Sequence, residues 1–191
     1  MKNHLYFLAT AFLFLLVNQN LKAEEPNLKI LRKQMVIAID NSQTTDSLFK
    51  SLMAIKQPTG IVNGFIGALQ ALKAKHAWNP YFKVKYLKNS EKTFKKAVAD
   101  DPHNMEIRFM RFSIEHNVPG FMGFNKDLAV DSEDIIAQLD KKNYGTADKE
   151  LTIAIIKFLI HSKRCTTAQN AILNKHLVEL SWDTPTCWSI Y

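Results

Sequence analysis

The chain has 191 residues, with 25 Lys and Arg against 18 Asp and Glu, giving a formal charge of +7. Hydrophobic residues at 47% and charged residues at 23% are ordinary for a folded globular domain. Six Gly and six Pro exclude a fibrous or low-complexity chain, and two Cys exclude a disulfide-dense scaffold or a four-Cys zinc site.

Residues 1–23 have the layout of a secretory signal peptide. Lys2 supplies a positive start, Leu5 to Val17 carries no charge, and a polar stretch ends at the small Ala23. The apolar run is shorter than the ~20 residues that span a bilayer as a helix. The expected boundary follows Ala23, with an uncleaved N-terminal anchor as the other reading. Removing 23 residues, Lys2 and Lys22 among them, leaves 24–191, a single domain of 168 residues and two charges fewer, +5. That length buries a proper core. The expectation is an exported protein, periplasmic or secreted.

The remaining apolar spacing is helical nearly throughout, and no alternating run of strand length occurs. Leu28, Leu31, Met35 and Ile39 mark a first helix. Asn41 to Thr45 reads as a linker, with Thr45 or Asp46 capping a second helix that carries Leu48, Leu52 and Ile55. A third helix runs from about Ile61 to Ala77. It ends before Asn79-Pro80, because the residue before Pro avoids the helical region. Pro80 opens a fourth, to about Ala99. A fifth covers His103 to His116, and the stretch 117–125 is a loop with Pro119-Gly120 as a turn signal. Further helices follow at about 126–139, 147–161 and 168–181, ahead of an irregular tail. The predicted fold class is all-α: about eight helices in antiparallel hairpins, as a solenoid or irregular bundle.

Phe94, Ala97 and Pro102 have the spacing found in the second half of a tetratricopeptide repeat, with Tyr81 and Ser90 at matching positions upstream. The stretch from about Ala71 to Asn104 therefore resembles one degenerate unit of that family. Pro80 departs from the pattern, since it interrupts the unit's first helix. His76-Ala-Trp78-Asn79-Pro80 and Asn117-Val-Pro-Gly-Phe121 are also similar to stretches of uncharacterised exported helical proteins of Gram-negative bacteria. Both resemblances imply a helix-hairpin scaffold of the kind that binds other proteins.

Several features are candidates for function. Lys85, Lys88, Lys92, Lys95 and Lys96 share one helical face, roughly opposite Val84, Leu87, Phe94 and Val98. Such a stripe suits an anionic partner or is simply a solvated face. Nucleic acid is not expected, for want of an Arg-rich or aromatic-interleaved motif. Asp127, Asp131, Glu133, Asp134 and Asp140 form an acidic segment that either neutralises this stripe or stands apart, without the spacing of a calcium loop. Phe121, Met122 and Phe124 make an unusually apolar loop, which either forms an exposed contact or plugs the end of the bundle. Gly60, Gly64, Gly67 and Ala68 point to two closely packed helices.

Cys165 and Cys187 are expected to form a disulfide in an oxidising compartment. The last helix advances about 20 Å, and six extended residues return about as far. No hydrolase, metalloprotease or nucleotide motif occurs, so no catalytic, cofactor or metal residue is assigned. The leading expectation is a non-catalytic binding or scaffold protein of the cell envelope. Its partner would be an envelope protein or an anionic surface component, with peripheral membrane contact open. Two alternatives stand beside it. An envelope hydrolase requires a deep pocket with coupled polar residues such as His76, His103 or His116 near an acid. An apolar-ligand carrier requires a cavity beneath the 118–124 loop.

Overall fold

The computed structural model describes residues 26–182. Residues 1–23, where a signal peptide is expected, Cys187 and the tail beyond Trp182 lie outside the described residues. Those residues form eight α-helices and one 3-10 turn, with no strand. The helices are α1 (Leu28–Ala38), α2 (Ser42–Met53), α3 (Gly60–His76), α4 (Pro80–Asp100), α5 (Met105–Asn117), α6 (Leu128–Asp140), α7 (Lys149–Ser162) and α8 (Thr167–Trp182). The all-α reading holds, and no described helix is long and apolar enough to cross a membrane.

Short polar side chains set the boundaries by accepting from orphan N–H groups of the first turn. Asn27, Asn41, Asn79, Asn104 and Asp148 cap α1, α2, α4, α5 and α7. Thr166 and Gln169 cap α8 reciprocally, side chain to backbone in both directions. The cap of α2 corrects the sequence reading. Thr45 lies inside the helix, buried, and its hydroxyl donates to the carbonyls of Ala38 and Asn41. Asp46 instead pairs with Lys73. Residues 42–45 are therefore helix rather than linker, because Asn41 as the cap already satisfies the Thr44 N–H.

Successive helices pair as hairpins, α1 with α2, α3 with α4, α5 with α6 and α7 with α8. Two cores share α5. Leu31, Leu52, Phe65, Leu69 and Phe94 close around Ile107 and Met110. Phe112 packs on the other side with Ile135, Leu139, Ile155, Leu159 and Leu173. Each such side chain contributes roughly 1.5–3 kcal/mol of transfer free energy.

The small residues of α3 do pack closely. A Cβ at Gly67 would lie 3.0 Å from the Phe94 ring, and one at Gly64 would lie 2.7 Å from Met110 Cε. Ser90 donates to the Gly67 carbonyl at 2.7 Å, tying α4 to α3 where the backbones come close.

Candidate functional site

The odd-numbered helices face a common trough. Arg32 near the start of α1 bonds Glu106 at the start of α5 at 2.7 Å. Lys75 at the end of α3 donates to the Ile39 carbonyl just past α1. The three helices thus run in the same direction, and a cleft of about 870 Å³ lies between them. That volume falls in the range of small-molecule sites.

Met35, Val36 and Ile39 form the wall from α1. Phe65, Ala68 and Leu72 contribute from α3, and Phe109, Met110 and Ile114 from α5. Val118, Pro119 and Met122 close one end, where Lys75 and Lys83 stand at the rim. The opposite end carries the Arg32–Glu106 pair and Leu151 of α7. Arg32 also donates to the Thr146 carbonyl and pairs with Asp148 at 3.5 Å. The bond to Glu106 holds the Arg32 guanidinium above its ordinary pKa, against the opposing effect of burial. Apart from these ends, Ser113 and Asn117, the walls offer hydrocarbon and sulfur, which favours an apolar guest.

The apolar loop divides in two. Met122 and Phe124 are half-buried against the cluster of Ala71, Ala74 and Leu87, whereas Phe121 is 91% exposed. The three side chains are not exposed together, which corrects one of the two expectations for this loop. The 3-10 turn Gly120–Met122 folds Met122 inward, and Gly123, at φ +74°, reverses the chain behind it. Glycine adopts that left-handed conformation without the usual Cβ penalty.

Four of the five acids in the segment pair within the chain, but not with the lysine stripe, and Glu133 is exposed. Asp131 is fully buried and accepts from Arg111 at 2.7 and 2.6 Å and from Arg108 at 3.0 Å. Asp127 pairs with Arg111 at 3.3 Å, Asp134 with Arg108 and His103, and Asp140 with His176. Burial pushes the Asp131 carboxyl up, and the arginine bonds pull against it. Burial opposes the charge of Arg111, yet its bonds and the charges of Asp131, Asp127 and Glu115 together hold its pKa above the ordinary value. Two arginines three apart on α5 form no motif, so this α5–α6 clamp is visible only once the helices are packed.

Lys85, Lys88, Lys92, Lys95 and Lys96 are all exposed. Glu91 pairs with Lys95 at 3.2 Å and lies 3.9 Å from Lys126. Among the described residues, no other carboxylate pairs with the stripe.

The histidines named for a hydrolase lie apart. His103 accompanies Asp134 at the surface, and His116 stacks on Phe112. His76 faces the Ala38 carbonyl at 3.1 Å, beside a smaller hollow of about 370 Å³ bounded by Asp46 and Trp78. None of the three lines the large cleft.

Cys165 is half-buried just before α8, and burial raises its thiol pKa against a bond with Ser132. Compared with family models, curated proteins and solved structures, the chain matches none.

Proposed function

We propose that this chain is an exported, non-catalytic helical binding protein whose trough takes an apolar ligand. The observation that carries this reading is the cleft itself: about 870 Å³, walled by apolar side chains from α1, α3 and α5 and closed by Met122. It lies where a carrier requires it, beneath the 118–124 loop. The hairpin order supports a tetratricopeptide-like array, since such scaffolds hold ligands along one face of stacked helices. Export to a periplasm or beyond is supported by the signal-peptide layout of residues 1–23.

The test is binding of the fluorescent apolar probe N-phenylnaphthylamine, displaced by dodecanoate. The N-terminus of the purified chain is read by mass spectrometry. Saturable binding is expected, and Ser113→Trp, which fills the trough from a half-buried wall position, removes it while the helical circular-dichroism signal persists. Absence of saturable binding, or unchanged binding in the folded variant, overturns the reading. A start at Met1 overturns the cleavage after Ala23.

A further inference from the structure

A second surface lies on the outside of α4, away from the cleft wall. Leu87, Ser90, Phe94 and Ala97 mark its buried side. At 100° per residue, Tyr81, Lys85, Lys88, Lys92 and Lys96 project from the opposite side, with Lys95 beside them. The stripe is about 22 Å long at 1.5 Å per residue.

Its N-terminal end is aromatic. Trp78 is 95% exposed at the α3–α4 corner and Tyr81 is 69% exposed. Phe82 and Val84 are also exposed on the flanks. The loop bearing exposed Phe121 packs against Leu87 through its neighbours Met122 and Phe124. Trp78, Tyr81 and Phe82, rings that polar residues would normally cover, therefore stand at one end of a row of unpaired positive charge, whereas Phe121 belongs to the Leu87 side. Exposed tryptophan costs hydration unless something covers it.

We infer that Trp78, Tyr81 and the lysines at 85, 88 and 92 form a docking surface for an anionic lipid bilayer. Charge complementarity argues for the occupant. Of the five stripe lysines only Lys95 has a carboxylate partner among the described residues, so the stripe's charge is free to attract anionic headgroups. The residue types argue for a bilayer over an acidic protein. Lys is a flexible point charge that follows a fluid headgroup layer, whereas a fixed carboxylate site favours the rigid fork of Arg. Every arginine of α5 is instead committed to Asp131 and its neighbours. Trp and Tyr belong at the boundary between hydrocarbon and headgroups, each with an apolar body and a polar tip. The lysine stems cover apolar surface while their ammonium groups stay at the phosphates.

The test is co-sedimentation of the purified chain, as its host processes it, with vesicles of phosphatidylcholine alone or of equimolar phosphatidylcholine and phosphatidylglycerol. Binding is expected to the anionic vesicles only and to fall as salt rises. K85E/K88E/K92E should weaken it by more than the roughly hundredfold that loss of three charges implies, and W78A/Y81A should weaken it without altering its salt dependence. K85Q/K88Q/K92Q should fall between parent and charge reversal, which guards against a variant that fails to fold. Equal binding to both vesicles, or parent-like binding by the charge-reversed chain, overturns the proposal. Binding to soluble polyglutamate but not to vesicles also overturns it, in favour of an acidic protein. Because none of the substituted residues lines the large cleft, N-phenylnaphthylamine binding in the same variants should be unchanged.

Discussion

Glu115 is buried on α5, facing the residues that open α6. Burial raises its pKa from 4.5 to about 7, reinforced by the charges of Asp127 and Asp131 and opposed by the Asp127 N–H and Arg111. Between these two values the unfolded chain gives up this proton while the folded chain keeps it. Unfolding free energy therefore falls as pH rises from about 4.5 to about 7, and this contribution levels off above that window. Glu115→Gln, which stays neutral, should show a smaller loss of Tm from pH 5 to pH 7.5 than the parent. Parallel Tm profiles would contradict the assignment. The sequence marks Glu115 as an ordinary acid near a helix end. Its pKa is raised by burial that only tertiary packing supplies, while the Asp127 N–H just before α6, 2.9 Å from Glu115 Oε2, pulls it down.

At the scale of elements, the α3–α4 hairpin is held by fit rather than by helix propensity. An interior glycine costs about 1 kcal/mol relative to alanine, yet α3 contains Gly64 and Gly67. Phe94, 2% exposed, fills the space beside Gly67 and has nowhere to swing. Overpacking of this kind costs typically about 1–3 kcal/mol. Gly67→Ala is expected to lower stability by about 1–2 kcal/mol despite its better propensity. Adding Phe94→Leu should make the pair's combined loss smaller than the sum of the two single losses in a urea-unfolding cycle. Additive losses would mean that the two residues do not press on each other. The recurrence of small residues at four-residue spacing was legible in the sequence. Which helices they serve was not, because Gly67 faces α4 while Gly64 faces Met110 of α5.

At the scale of the whole molecule, two cores meet through α5, and α8 closes the second by way of Leu173. A Cys165–Cys187 bridge would pin the tail to the corner before α8 and add roughly 3 kcal/mol in the chain-entropy model. Peptide mapping without reductant should recover the two cysteines in one cross-linked fragment. Cys187→Ser should lower the unfolding midpoint under oxidising conditions and leave it unchanged under reducing ones. Two free thiols in the chain purified under oxidising conditions would refute the bridge.

Helix count, all-α class and most boundaries followed from the sequence, because 3.6-residue periodicity, Asn caps and Pro breaks are local properties that each segment carries by itself. The exposed lysine face of α4 was equally legible, since one helix's pattern defines both its buried and its outer side. The trough was not. Met35, Phe65 and Ile114 lie far apart in the chain, and only the stacking of α1, α3 and α5 brings them to one wall. The partners of the acidic segment were likewise a tertiary decision: charge alone favours the numerous lysines, but burial of Asp131 selects the two arginines that can satisfy its oxygens without water.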